Sequence, residues 1–334
     1  METIGNMTLA EVHQLSQGYY MNGMEQLDKA IYDDKRAKQA ALTGLVVGTL
    51  LLSGDPGGGK TSLAKYLGAI VEDIAPEDVC RIPVDSELQP SRLVGSSTTI
   101  ETVEEINGVS TTKKTIHRIE PLVKPSTGII FADELTRINP LAVNALLEAP
   151  EESALTTTEG TIALDSLMLL VSTMNPAESI QSTFDVAVAY ASRHKVGAVM
   201  GRDITHAHKK DLSNGIKPRR DEIVPIVSTD QLKLIKQSAD LGLLPEKLND
   251  TLVESVNRAI VTYQQDHGIK ESNNRYTEQI GQVTKVLALF SGDQPDIKHL
   301  YDAMYLSVAA RLGSLVISDN IEGVIKNFVE KVIA

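Results

Sequence analysis

Residues 54–61 read Gly-Asp-Pro-Gly-Gly-Gly-Lys-Thr, and they lie between an apolar run at residues 49–52 and a segment with Leu63, Leu67 and Ile70 at helical spacing. The order Gly, four residues, Gly, Lys and Thr, placed between a strand and a helix, is typical of a phosphate-binding loop. Its glycines let successive backbone N–H groups and the helix N-terminus point at an anion. A glycine-rich turn that only caps a helix is the alternative, but it does not explain Lys-Thr in register.

The loop predicts a nucleotide as the ligand. Lys60 is expected to place its charge on the β- and γ-phosphates, and the hydroxyl of Thr61 to bind Mg²⁺. The residues predicted to contact the nucleotide are Gly54, Asp55, Pro56, Gly57, Gly58, Gly59, Lys60, Thr61 and Ser62.

The composition is that of a soluble globular protein with room for two domains, since 42% of the 334 residues are hydrophobic and 23% are charged. No run is long enough to span a membrane and the first residues open no signal peptide, so we expect a cytoplasmic protein. The net charge of −12 argues against a nucleic-acid partner, because phosphate contacts need clustered Lys and Arg. The single cysteine, Cys80, lies in an apolar stretch and is expected to be a buried structural thiol.

Strands, hairpins and helices follow one another in the pattern of an α/β domain. Helices are expected over most of residues 8–44, then the first strand and the loop, and a second strand from Val79 to Val84. Asn107-Gly108 between two β-favouring runs predicts a hairpin, and a second hairpin is expected around Glu159-Gly160. The runs at residues 129–132 and 167–171 predict strands buried on both faces of a parallel sheet.

Beyond residue 200 the pattern changes. Residues 201–225 are polar and rich in turn signals, which is typical of a linker, and the rest of the chain shows helical spacing and helix caps. We therefore predict a nucleotide-binding α/β core at residues 1–213, a linker at 214–225 and an all-helical domain at 226–334.

Acidic and polar residues follow the two buried strands. Asp133-Glu134 comes directly after the first, and Asn175 follows the second. Functional groups in parallel sheets gather at the carboxyl ends of the strands. Asp133 is expected to hold Mg²⁺ and Glu134 to polarise the attacking water. A solvated acidic strand end is the alternative.

With these motifs the chain resembles the MoxR family of AAA+ ATPases. The resemblance rests on four stretches, which read LLLSGDPGGGKTSLAKYLG, IIFADELTRINPLAVNALLEAPEE, VSTMNP and SNNRYTEQIGQVTKVLAL. The second stretch is the most specific, because it joins the acidic pair, Arg137, Pro140 and the Ala-Leu-Leu-Glu helix in the family's order. The two hairpins fall where the family carries its insertions. The resemblance implies an AAA+ α/β/α core, with a parallel sheet and a smaller helical lid, that uses ATP and Mg²⁺.

The resemblance also implies roles for three further residues. Asn175 matches the first-sensor residue, which orients the attacking water. Arg193 matches an arginine that reaches the nucleotide of a neighbouring subunit, although Ser192-Arg193-His194 stands here for Asp-Arg-Phe. Arg275 matches the second-sensor arginine of the lid. The competing candidates for the arginine that acts on the neighbour are Arg202, Arg219 and Arg220.

Three functions compete. The resemblance implies a homo-oligomeric ring, a hexamer, that couples ATP hydrolysis to remodelling of a protein client, which for MoxR proteins includes proteins with von Willebrand type A domains. A nucleic-acid motor or loader on the same core is the alternative, but Lys113-Lys114 is expected to face Glu101, Glu104 and Glu105 across the first hairpin. A small-molecule kinase does not explain the hairpins or the helical domain. His206 and His208 suggest no metal beyond Mg²⁺, because no cysteine or further histidine lies nearby.

Overall fold

We describe the protein from a computed structural model. The structure describes residues 3–31, 34–54, 57–83, 85–106, 109–158, 160–175, 184–200, 220–313 and 320–334.

Strands and helices alternate through the first two hundred residues. In chain order these elements are β1 (Thr3–Ile4), β2 (Met7–Thr8), α1 (Leu9–Ala30), α2 (Lys35–Val47), β3 (Thr49–Gly54), α3 (Lys60–Leu67), β4 (Val79–Ile82), α4 (Pro90–Val94), β5 (Ser96–Ile106), β6 (Val109–Ile119), β7 (Ile129–Ala132), α5 (Pro140–Glu152), β8 (Ala154–Thr157), β9 (Gly160–Ala163), β10 (Leu169–Met174), α6 (Phe184–Ser192) and β11 (Val196–Met200). Short 3₁₀ helices lie at Gly68–Ile70, Pro76–Asp78, Leu135–Arg137 and Arg220–Glu222.

The remaining described elements are helices. The helices are α7 (Thr229–Leu241), α8 (Glu246–His267), α9 (Asn273–Ser291), α10 (Ile297–Leu312) and α11 (Ile321–Ile333). Hydroxyl and carboxylate caps start several helices of the protein: Thr8 pairs with Glu11 at α1, Ser228 pairs with Gln231 at α7, and Asp296 caps α10.

A five-stranded parallel sheet organises the core. Its strand order is β11-β3-β10-β7-β4. Every residue of β3, β7 and β10 is buried, because helices cover the sheet on both sides. The predicted parallel α/β core with a C-terminal helical region is thus confirmed. The second strand is shorter than predicted, since it ends at Ile82, and Val84 lies outside the described residues.

Both predicted hairpins form. β5 and β6 pair antiparallel from Ser96 opposite Ile119 to Ile106 opposite Val109, and β8 pairs with β9, with Leu155 opposite Ile162. The turn residues Asn107, Gly108 and Glu159 lie outside the described residues. In this register Lys114 is opposite Glu101, but Lys113 is opposite Thr102. The expectation that the lysines also face Glu104 and Glu105 is wrong, because those residues are opposite Thr111 and Ser110.

Cys80 is less buried than predicted. Its side chain is half-buried on β4, the edge strand, where the thiol donates to the carbonyl oxygen of Leu122 at 3.2 Å. Burial still raises the pKa of the Cys80 thiol to about 11, so the thiol form is strongly favoured at neutral pH.

The helical region packs directly on the sheet. α10 lies against β11, the edge strand on the other side, and the contact depends on Gly197. A Cβ atom at Gly197 would lie 2.6 Å from Cα of Ala310 and 2.7 Å from the carbonyl oxygen of Leu51. Only glycine therefore lets this helix approach so closely.

A buried ion pair holds the helical region together where it meets the core. The Nε atom of Arg311 donates to Glu271 at 2.9 Å, and the side chains of Arg311 and Glu271 are 1% and 2% exposed. The guanidinium also donates to the Ser307 hydroxyl at 2.6 Å and to the Gln279 side chain at 2.8 Å, and it lies 4.0 Å from the ring centre of Tyr276. Buried charges require such complete pairing.

Replacing Arg311 by methionine should destabilise the protein by about 3–5 kcal/mol, because Glu271 would stay buried without its cation. The free energy of unfolding in denaturant measures the change. As the control, Lys331→Met breaks the exposed Lys331–Asp266 pair, with 3.2 Å between the charged atoms, and should cost less than about 1 kcal/mol. The double variant Arg311→Met/Glu271→Leu should recover part of the loss. Equal effects of Arg311→Met and Lys331→Met would contradict this account.

Candidate functional site

The phosphate-binding loop connects β3 to α3 at the carboxyl edge of the sheet. β3 ends at Gly54 with φ of 135°, and a Cβ atom there would lie 2.3 Å from the carbonyl oxygen of Met200. Gly59 precedes the helix with φ of 87°. L side chains rarely adopt either conformation, so the chain needs glycine at both positions. Asp55 and Pro56 lie outside the described residues.

Lys60 starts α3 and folds back over the loop. Its ammonium group donates to the carbonyl oxygen of Gly54 at 2.6 Å. Thr61 is exposed and Ser62 is half-buried in the first turn of the helix, where backbone N–H groups have no partner within the helix. This end of α3 therefore offers backbone donors and a positive dipole to an anion.

The acidic pair is fixed by β10. Asp133 follows β7, and its Oδ1 atom accepts a hydrogen bond from the hydroxyl of Thr173 at 2.7 Å. The same hydroxyl accepts from the backbone N–H of Glu134 at 2.8 Å. Glu134 has φ of 47°, an uncommon conformation for a residue other than glycine. Such outliers persist where the surroundings hold them, and they cluster at functional sites.

Two arginines neutralise the pair. Arg81 on β4 donates to Oδ2 of Asp133 at 2.6 Å, and Arg137 lies 2.9 Å from Oε2 of Glu134. The side chain of Asp133 is only 13% exposed. A carboxylate at this depth, with the Thr61 hydroxyl in the first turn of the facing helix, is the hard oxygen donor set that Mg²⁺ prefers. The residues present thus fit Mg²⁺.

Asn175 completes this edge of the sheet. It directly follows β10 and is 8% exposed. Because β10 lies between β3 and β7, Asn175 stands between the loop and the acidic pair. The structure therefore brings together the loop, Asp133, Glu134 and Asn175, as the sequence predicts for the carboxyl ends of parallel strands.

The two predicted arginines lie at the opposite, amino edge. Arg193 precedes β11, and its guanidinium is 3.6 Å from the carboxylate of Glu148 on α5. Arg275 lines a cavity of about 1190 Å³ together with Thr49, the first residue of β3, and Lys195. The six residues of β3 separate the two edges by roughly 17–20 Å, at about 3.3 Å per residue. Neither arginine is thus grouped with the phosphate loop of its own chain.

Several other candidates cannot be placed. Arg202, Arg219, His206 and His208 lie outside the described residues, and so does the side chain of Arg220. Within the described ranges, no group of three or more His, Cys, Asp or Glu side chains could hold a metal ion. None of the described helices is long and apolar enough to cross a membrane.

Four polar side chains at or near the site were not assigned these positions from the sequence. Thr173 and Arg81 hold Asp133, Arg137 pairs with Glu134, and His194 is fully buried beside Arg193. A signal existed for Thr173, because it is a polar residue inside an apolar strand that must find a partner. Arg137 is a local partner, three residues after Glu134, whereas the roles of Arg81 and His194 depend on the strand order.

His194 is a neutral buried histidine. Burial is the main cause that lowers its pKa, to about 4, with the nearby Arg311 acting in the same direction. Nδ1 lies 2.8 Å from the carbonyl oxygen of Tyr190, and Nε2 lies 2.9 Å from the hydroxyl of Ser172. Since a carbonyl oxygen only accepts, Nδ1 carries the proton and Nε2 accepts from Ser172.

This lowered pKa predicts a stability loss in acid. Between pH 6.5 and 4 the unfolded chain binds a proton at His194 that the folded chain does not, so the stability present above pH 6.5 falls as the pH drops towards 4. The full effect is about 3 kcal/mol, at 1.36 kcal/mol for each pH unit of the shift. Between pH 7 and 4, His194→Phe should lose less unfolding free energy than the parent by about this amount. Urea unfolding at both pH values measures it, and parallel losses would contradict the assignment.

Comparison with known proteins finds one matching family. The sequence model of one protein family, described as "ATPase family associated with various cellular activities (AAA)", matches residues 49–196. These residues run from the start of β3 to the start of β11, so they include the loop, the acidic pair, Asn175 and Arg193. The fold is that of an AAA ATPase domain followed by a helical region.

Two individual proteins are similar to this chain at low sequence identity. The "uncharacterized protein YeaC" of Bacillus subtilis (strain 168) is 27% identical over 220 residues, which are 64% of this chain and 62% of that protein's own length. A crystal structure from Cytophaga hutchinsonii ATCC 33406, described as a "putative ATPase", superimposes with a TM-score of 0.69 over 96% of both chains at 20% identity. At that identity the likeness shows the fold.

Proposed function

We propose that this chain binds ATP with Mg²⁺ and hydrolyses it to ADP and phosphate. The observation that carries the proposal is the convergence of three features at the carboxyl ends of adjacent strands: the glycine loop after β3, the Thr173-bound acidic pair after β7, and Asn175 after β10. The match of residues 49–196 to a family of ATPases supports it.

Each residue then has a distinct task. The N-terminus of α3 and Lys60 would bind the phosphates, and Thr61 and Asp133 would hold Mg²⁺, whose charge would offset that of the phosphates. Glu134, whose backbone is fixed by Thr173, polarises the attacking water. Asn175 orients that water towards the γ-phosphate.

We further propose that the active form is a ring, a hexamer of MoxR type. Arg193 and Arg275 lie at the edge of the sheet away from the loop, so they serve a nucleotide bound by a neighbouring copy. A heterologous contact, in which the amino edge of one subunit meets the carboxyl edge of the next, closes into a ring. Arginine supplied in this way stabilises charge in the transition state.

The proposed client is a protein, in MoxR proteins typically one with a von Willebrand type A domain. The net charge of −12 argues against nucleic-acid phosphates as the partner, and on the long hairpin Lys114, one of the two adjacent lysines, is opposite an acid, Glu101. Remodelling of a protein by ATP-driven motion of the ring is the function that these features favour.

A trap experiment tests the client. Glu134→Gln should retain both ATP and the client, so affinity capture from native lysate in the presence of ATP should recover a protein that Lys60→Ala does not. A matched Glu134→Gln chain with residues 99–116 replaced by a short turn tests whether the long hairpin is needed. Recovery of nuclease-sensitive nucleic acid in place of a protein would overturn the choice of client, without affecting the ATPase assignment.

A further inference from the structure

We propose that His194, Arg311 and Gln279 are positioning residues for Arg193, which they hold in place for the nucleotide of the neighbouring subunit. The inference rests on the proposed trans role of Arg193. Ser192 and His194, the residues on either side of Arg193, are both hydrogen-bonded to other parts of the fold.

On one side, His194 ties the Arg193 segment to the sheet. Its Nδ1–H donates to the carbonyl oxygen of Tyr190 in the last turn of α6, and its Nε2 accepts from Ser172 in the middle of β10. The ring is fully buried. A side chain fixed at both ring nitrogens cannot rotate without losing both bonds, so the backbone at residue 194 is held.

On the other side, the carbonyl oxygen of Ser192 is held by the helical region. It accepts from Nη2 of Arg311 at 3.4 Å and from the Gln279 side chain at 3.5 Å. Arg311 is itself fixed by Glu271 and Ser307. The residue before Arg193 is therefore linked to both α9 and α10.

Arg193 itself is held loosely. Its Nη1 atom is buried, yet within the described part of the chain it has no hydrogen-bond partner, and Glu148 lies 3.6 Å away. A buried guanidinium nitrogen without a partner is costly. The Arg193 side chain is nevertheless 28% exposed, so on a fixed backbone the outer part of the guanidinium is open to a phosphate on another chain.

One strand, β10, contacts both the acidic pair and the segment that carries Arg193. Ser172 of β10 binds His194, and the next residue, Thr173, binds the acidic pair. Consecutive strand residues point to opposite faces of a sheet. The acidic pair that a subunit uses and the arginine that it lends thus depend on adjacent residues of one strand.

Mixed rings test the proposal. When Lys60→Ala chains are mixed with Arg193→Ala chains, the only productive interface takes Arg193 from the first chain and the phosphate loop from the second. Adding His194→Phe to the Lys60→Ala chain should cut the ATPase rate of the mixture by roughly tenfold or more, because small misplacements of a catalytic group are costly. Adding it to the Arg193→Ala chain should leave the rate at the reference value.

Smaller substitutions control for a loss of folding in His194→Phe. Ser172→Ala removes only the hydroxyl that binds Nε2, and Gln279→Leu removes one donor to Ser192 together with one acceptor of Arg311. Both should lower the rate in the same one-sided way, Ser172→Ala by less than His194→Phe. Ser16→Ala is the matched control, since its equally buried hydroxyl donates to the carbonyl oxygen of Val12 within α1. Placed in either chain, it should leave the ATPase rate of the mixture unchanged. Equal losses of rate whichever of the two chains carries the variant, or no loss in either case, would overturn the positioning role. An inactive reference mixture would instead remove the trans role of Arg193, and this inference with it.

Discussion

Glu134→Gln is expected to bind ATP with nearly parental affinity and to lose turnover by a factor of roughly 10²–10⁴, the range for removal of a catalytic acid or base. An amide cannot accept the proton of the attacking water. The substitution keeps the shape of the side chain, and the backbone bond from Glu134 to Thr173 does not involve the carboxylate. Loss should therefore appear in turnover and not in affinity.

Phosphate release and fluorescent-nucleotide titration on the same preparation measure the two quantities. Glu254→Gln removes an exposed carboxylate on α8, outside the proposed site, and should behave like the parent. Lys60→Ala should lose binding itself. If Glu134→Gln turned over ATP at the parental rate, Glu134 would not be the catalytic carboxylate.

Arg193→Ala should reduce turnover by roughly a thousandfold or more with little change in ATP affinity. An arginine supplied by a neighbour acts on the charge that develops on the γ-phosphate in the transition state, and contributes little to ground-state binding. The position of Arg193, across the sheet from its own loop, means that ATP binding by the same chain does not depend on it.

Arg258→Ala provides a control, because this arginine is exposed on α8 and stands outside the proposed site. The competing candidates Arg202, Arg219 and Arg220 should also tolerate alanine. A near-parental rate for Arg193→Ala, combined with an inactive variant at one of those three positions, would transfer the role to that arginine.

Local features of the fold could be predicted from the sequence because each has a short-range cause. Four consecutive apolar residues marked β7, and the glycine loop marked the junction of β3 and α3. The dipeptide Asn107-Gly108 predicted the pairing that β5 and β6 show. The gathering of loop, acidic pair and Asn175 at one edge followed from the single rule that parallel strands present their carboxyl ends together.

The contacts that support the site could not be predicted in this way. Thr173 meets Asp133 across 40 residues of chain only because β10 lies between β3 and β7. Periodicity shows which residues are buried, but it does not show which buried polar groups meet. The packing of α10 on β11 was also missed, since a polar stretch before the helices suggested a separate domain, whereas Gly197 allows direct contact. The boundaries at residues 213 and 225 stay predictions.

The central claim is that two copies of this chain share each catalytic site. The most direct measurement is the ATPase rate of a mixture of Lys60→Ala and Arg193→Ala chains, each of which is inactive alone and assembles like the parent. The account predicts that mixing restores part of the parental rate, and that the restored rate rises with total protein concentration as mixed rings form. A mixture of fully assembled chains that stays as inactive as its components would contradict it.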